Sequence, residues 1–204
     1  MPREGVSFDS SWRQRSAIRP GSITEVDRFI RAHYLKKRPA VTVLTLVVDV
    51  DGIASGAVVF SLPPRETERR YGVKVWELAR LYLIDGLPKN AETWVIGAAI
   101  RYIKKHHRDV GALVSYADPS VGHQGTIYKA SNWASDGRTD EGRKTPRFDM
   151  VTTESDLFGD KIKKHGRASH VPFGAEAVRL PRVSKSRFVF RLHKAGADVH
   201  LDEK

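Results

Sequence analysis

Two periods of apolar residues divide this chain into elements. Between Ser22 and Pro39, Val26, Phe29, Ile30 and His33 recur at helical spacing, and Ser22 with Glu25 reads as a capping box. A helix is therefore expected to start after Ser22 and to be ended by Pro39. VTVLTLVVDV (41–50) and IASGAVVFSL (53–62) read as strands around Asp51-Gly52, a pair suited to a tight hairpin. Residues 63–74 are polar and read as a loop. VWELARLYLI (75–84) is apolar on both faces, which suits a central strand. The turn DGLPKN leads into a second helix, with Asn90 as N-cap and Glu92 at its positive end. Ile96, Ile100 and Ile103 share one face, and KKHHR lies at the negative end. GALVSYAD (111–118) is a second buried strand, followed by a Gly-rich turn and a short helix around TIYKASNW (126–133). Beyond Ala134 the pattern weakens. RFDMVTT (147–153) and SRFVFRLH (186–193) read as strands, with irregular basic sequence between them, and residues 1–20 read as a polar arm.

This order predicts an α/β fold, with a mixed central sheet and helices packed on its faces, over one domain from residue 21 to residue 204. Ligands of such sheets collect at the carboxyl ends of the strands where connections diverge. Here that points to residues 85–90 and 118–125.

Composition changes the picture mainly through charge. The 204 residues carry 35 Lys and Arg against 24 Asp and Glu, a net charge of +11. Between Lys161 and Lys194 ten basic residues face one acid, Glu176, and residues 1–40 hold nine bases against four acids. A polyanion is the natural partner, because phosphate contacts release counterions. Lys161, Lys163, Lys164, Arg167, Arg182, Lys185 and Arg187 are the expected nucleic-acid contacts; a solubilising surface is the alternative. The absence of cysteine excludes disulfides and thiolate chemistry and suits a reducing cytoplasm. No run of apolar residues is long enough to span a bilayer, and no membrane partner is expected. The histidines are scattered, and no metal is expected.

Several polar residues fall where chemistry is expected. Arg80 alternates onto the face of Trp76, Leu78 and Tyr82, with Glu77 on the other, so it needs a partner or a polar cavity. A structural pair with Glu77 or Asp85, or with Asp118 on the neighbouring strand, is the plainer reading, though Glu77 points to the opposite face. Asp118 ends a buried strand, either facing the cleft as an acceptor or base or closing an Asx-turn ahead of Pro119. Tyr128, on the short helix after Gly125, is a candidate acid or a packing residue with a wet tip. His33 and Tyr34 end the first helix, where plain packing is the alternative.

The run YADPSVGHQGTIYKASNW, with WELARLYLIDGLPKNAET upstream and AHYLKKRP before it, resembles the phage DNA-modification family Mom over about residues 22–135. That resemblance implies a fold related to the GNAT acyltransferases, in which two splayed parallel strands hold an acyl-type donor. It also implies conversion of adenine in double-stranded DNA to its N6-carbamoylmethyl form, which protects phage DNA from host restriction. The functional residues it implies are His33, Tyr34, Arg80, Asp118 and Tyr128. Donor contacts would come from Gly86, Lys89, Asn90 and Ser115, with acetyl-coenzyme A or a related donor as cofactor. The turn at residues 85–90 departs from the glycine-rich pyrophosphate loop of GNAT enzymes, and Pro88 lacks an amide donor there. Two rival functions remain: a GNAT acetyltransferase acting on a small molecule, tRNA or protein, and a basic DNA-binding protein without catalysis.

Overall fold

The computed structural model describes residues 11–33, 35–156, 159–165 and 168–193. Tyr34 and Arg167 lie outside the described residues. Strands β1 (Ser16–Pro20), β2 (Thr42–Val50), β3 (Ile53–Ser61), β4 (Val75–Leu83), β5 (Ala112–Ala117) and β6 (Ala134–Arg138) are interleaved with four helices. These are α1 (Ile23–Ile30), α2 (Arg65–Tyr71), α3 (Ala91–His106) and α4 (Thr126–Ala130). Four more strands follow, β7 (Phe148–Asp156), β8 (Gly159–His165), β9 (Val178–Pro181) and β10 (Ser186–Arg191). Seven strands form one sheet in the order β1-β2-β3-β4-β5-β10-β6, and β8-β7-β9 form a second.

The hairpin follows from its turn. Asp51 and Gly52 both take positive φ, 53° and 73°, as a left-handed two-residue turn requires. α3 packs on one face of the large sheet. Its Val95, Ile96, Ala99, Ile100 and Ile103 meet Leu46, Val58, Phe60, Trp76, Leu78 and Leu113. α1 covers the other face, with Val26 and Ile30 against Val47, Ala57 and Val59. Tyr71, at the end of α2, packs against Val75, Ala112 and Val114.

Four expectations need correction. Residues 16–20 are an edge strand on β2 rather than part of an arm; the buried Trp12 just before them, edge-on to Trp94 at 5.4 Å, anchors that strand. α1 ends at Ile30, nine residues before Pro39. Ser22 does cap it, accepting from the Glu25 amide at 3.2 Å, and the Glu25 carboxylate reaches back to the Ser22 backbone as a capping box requires while also bonding Arg19. Residues 65–71 are helical, not a loop. RETERRY has no apolar period, and its helix is held by Tyr71 and the partly exposed Arg70, both bonded to Asp136. The stretch between β7 and β10 is not irregular, since β8 and β9 pair with β7 on either side.

The connection from β4 through α3 to β5 makes the one parallel pair of the large sheet. It lasts for three rungs, Val75 to Ala112, Trp76 to Leu113 and Glu77 to Val114. Beyond Glu77 the two strands part, and β10 fills the other side of β5.

Candidate active site

The parting of β4 and β5 opens a slot of about 680 Å³. Its walls are residues 77–83 of β4, residues 115–117 of β5, the turn 122–125, the first residues of α4, and His33 with Leu35 from the loop after α1.

A bulge decides which side chains enter it. Along the β3–β4 ladder Val59 faces Arg80 while Phe60 faces Leu78, so Ala79 is one extra residue in β4. Side-chain alternation inverts there. Trp76 and Leu78 point to the α3 core before the bulge, and Leu81 and Leu83 after it. Tyr82 lies on the opposite face, its ring 6.5 Å from Phe29 of α1. Arg80 therefore shares the face of Glu77, not that of Trp76 and Leu78 as strict alternation predicts. Its Nε donates to the Lys37 carbonyl at 2.8 Å and its terminal nitrogen to the Ala79 carbonyl at 2.6 Å. The bulge thus ties the middle of β4 to the loop after α1.

His33 sits in that loop. Its Nδ1 accepts the Leu35 amide at 3.1 Å, which leaves the proton of the neutral ring on Nε2. Burial, with the charges of Arg80 and His123, pushes its pKa down to about 4, so the ring is neutral at physiological pH.

At the point where the strands part, Ser115 Oγ donates to the Leu78 carbonyl at 2.8 Å and lies 2.7 Å from the Tyr128 hydroxyl. With its own proton given to Leu78, the serine accepts from Tyr128. Tyr128 is wedged between Trp133 and Phe188, ring centroids 5.4 and 5.3 Å away. Gly125 makes this packing possible. It caps α4 at φ 75°, and a Cβ there would come 2.2 Å from the Phe188 ring.

Asp118 is held at the rim. One carboxylate oxygen accepts the Ser120 amide at 3.0 Å and the Ser120 hydroxyl at 2.6 Å, and the other lies 3.2 Å from Lys185 Nζ. Burial works against its charge, but the Ser120 and Lys185 contacts outweigh it and hold the pKa below the usual carboxylate range. The Asx-turn reading describes these bonds, and the ion pair goes to Lys185 rather than Arg80.

Glu77 is the acid that sequence reasoning passed over. It lines the slot, mostly buried, and makes no hydrogen bond or ion pair among the described residues. Burial pushes its pKa up, against the charges of Arg80 and Lys185. Its signal was present, as the one acid in the apolar run VWELARLYLI. Assigning it to the face away from Arg80 hid it.

Of the residues expected to hold a donor, Ser115 lines the slot, whereas Gly86, Lys89 and Asn90 lie outside its lining. Glu92, in the first turn of α3, lines it instead. The sequence before α3 does not fit a pyrophosphate. Pro88 has no amide, the Ala91 amide is bonded to the Pro88 carbonyl at 3.1 Å, and the Glu92 carboxylate stands where the helix would otherwise attract an anion. The phosphate end of coenzyme A is therefore not matched here. Among the described residues no cluster of His, Asp or Glu could hold a metal ion.

The basic residues divide. Lys161, Lys163 and Lys164 stand on β8 opposite Glu154, Thr152 and Val151. Arg182 is bonded to Asp149 at 2.7 Å, and Arg187 to Asp136 at 2.7 Å. Lys185 pairs with Asp118 and lines the slot. These last three serve the fold's own acids, so they are not the loose surface cations that charge counting suggests.

A mixed sheet whose one parallel pair splays around a slot, with a helical crossover between, is the fold of the GNAT acyltransferases, and this chain has that fold. Solved structures agree at the level of fold. An aminoglycoside acetyltransferase, AAC(6')-Ib, in complex with coenzyme A and kanamycin is 11% identical, covers 86% of this chain and 94% of its own, and superposes with a TM-score of 0.50. The yncA protein of Salmonella typhimurium with its cofactor acetyl-CoA is 13% identical, covering 90% of this chain and 97% of its own, also at 0.50. The chain belongs to the Mom protein family, whose sequence profile it matches over residues 23–202. Methylcarbamoylase mom of Escherichia phage Mu is 37% identical over 57 residues, 28% of this chain. That match spans about a quarter of the phage protein, 24% of its length. No helix among the described residues is long and apolar enough to cross a membrane.

Proposed function

We propose that this chain is a DNA-modifying transferase that acts on the exocyclic N6 amine of adenine, a reading supported by its membership of the Mom family and by the slot chemistry. The observation that carries this reading is Glu77, a mostly buried carboxylate that lines the slot on the face of Arg80 and makes no hydrogen bond or ion pair among the described residues. An adenine amine is a poor nucleophile because its lone pair is drawn into the ring. It needs an acceptor for one of its protons as the new bond forms. Inside a duplex that amine is paired, so the base is turned out of the stack, at roughly a few kcal/mol.

In this reading the amine gives a proton to Glu77 as its nitrogen bonds the donor carbon. The donor's leaving atom departs with the electron pair of the broken bond and takes a proton from Tyr128, which Ser115 orients. Arg80, from β4, and neutral His33, from the loop after α1, fix the base. Asp118, occupied by Ser120 and Lys185, holds the turn that leads to α4. No part of this sequence of events requires coenzyme A, whose phosphates the β4–α3 turn does not fit. A carbamoylmethyl product and protection from restriction are the finer content of the proposal.

Mass spectrometry of nucleosides from DNA co-expressed with the protein tests it. A modified deoxyadenosine is expected, and the mass of the added group separates carbamoylmethyl from acetyl transfer. Unmodified DNA, with acetylation of a small molecule, tRNA or protein, would replace this proposal by the acetyltransferase reading.

A further inference from the structure

Beside the slot lies a second hollow of about 390 Å³, bounded by Asp27, Ile30, Arg31 and residues 36–40. Four cations line it, Arg31, Lys36, Lys37 and Arg38, against one acid. Asp27 and Arg38 are paired with each other. Arg31, Lys36 and Lys37 are exposed and make no ion pair among the described residues.

We infer that this hollow is a phosphodiester-binding site that grips the DNA backbone next to the nucleotide held in the slot. The inference rests on the reading that the chain acts on DNA. A base turned out of the stack stays bonded to its own sugar and flanking phosphates, so their contacts must lie at the slot's mouth. The loop after α1 meets that demand, because His33 and Leu35 line the slot while Arg31, Lys36 and Lys37 line the hollow. From His33 to Lys37 is four residues, at most about 14 Å of chain.

The loop is also held in place. The Lys36 amide bonds the His33 carbonyl at 2.8 Å, and Arg80 bonds the Lys37 carbonyl. The C-terminus of α1 points here and carries roughly half an elementary negative charge. Three full positive charges with no ion pair among the described residues exceed it, and the carbonyls of Asp27, Phe29 and Ile30 are already bonded by the amides of Arg31, Ala32 and His33. The C-terminal basic residues are less suited, since Arg182, Lys185 and Arg187 are bound to acids.

The test is the variant Arg31→Gln, Lys36→Asn, Lys37→Gln. Asparagine is chosen at position 36 because φ is 52° there, which Asn tolerates. Binding to a duplex oligonucleotide is followed across a salt series, with thermal melting as the check on folding. Losing three phosphate contacts should lower the slope of log K against log salt by about 2.7, at about 0.9 per contact on duplex DNA. An unchanged slope in a folded variant, with wild-type protein still modifying DNA, overturns this inference and leaves the functional reading standing. A lowered slope in a protein that never modifies DNA supports the site and removes the proposed activity. A second arm titrates coenzyme A: if the variant loses coenzyme A binding but keeps its salt slope, the anion belongs to the donor and the inference fails. Should the variant unfold, the single change Lys37→Gln carries the same test with a slope change near 0.9.

Discussion

Replacing Gly125 by alanine tests how the slot is built. Two costs are expected, and the structure separates them. The first is backbone strain: at φ 75° an L-residue carries roughly 1–2 kcal/mol that glycine does not. The second is steric, since the added Cβ would sit 2.2 Å from the Phe188 ring. Phe188 is almost wholly buried on β10 and packs against Tyr128, so it has little room to retreat. Overpacking of that kind costs about 1–3 kcal/mol more. Gly122 is the control. Its φ is 79°, and an alanine Cβ there meets nothing within 4 Å, so Gly122→Ala carries the strain alone. At about 2–4 °C per kcal/mol for a chain of this size, Gly125→Ala should melt several degrees below Gly122→Ala. Because the displaced ring supports Tyr128, Gly125→Ala should also lose activity while Gly122→Ala keeps most of it. Scanning calorimetry of the three proteins settles the point. Equal melting temperatures for the two variants would mean that the α4 turn is not packed on Phe188 as described.

Glu77→Gln keeps the shape of the side chain and removes its charge. Burial raises the folded-state pKa of Glu77, so its ionised form costs stability once pH rises above the ordinary carboxylate value. The variant should match or exceed wild-type stability at neutral pH, the difference fading below about pH 4, while activity falls on the order of 10²–10⁴-fold. The acid limb of the wild-type pH–rate profile should lie above the usual carboxylate range; full activity in Glu77→Gln would remove the residue from the mechanism. Tyr128→Phe leaves the packing with Trp133 and Phe188 and takes only the hydroxyl bonded to Ser115. Turnover should drop with DNA affinity nearly constant, because the proton is needed only in the transition state. A parallel loss of DNA affinity would instead make Tyr128 a binding residue.

Much of this architecture is legible along the chain because it depends on near neighbours. The Asp51-Gly52 hairpin, the Ser22 cap, the apolar face of α3 and the two buried strands are local patterns, and each lies where its residues place it. The resemblance in residues 115–133 likewise pointed to the segment carrying Ser115, Gly125 and Tyr128, which the fold brings to one slot. Long-range pairing decided the rest. A single extra residue in β4 is invisible until β3 lies beside it, because alternation counts residues and not partners. That residue, Ala79, moves Arg80 to the face of Glu77. β10 joins β5 to β6 across dozens of residues, and only that insertion sets Phe188 against Gly125. Asp149, Asp136 and Asp118 are far in sequence from Arg182, Arg187 and Lys185, so charge counting left these cations unassigned until packing paired them. The hydrophobic period determines which face of an element is buried; the tertiary structure determines which polar group of that element meets a partner and which, like Glu77, is left facing a cavity.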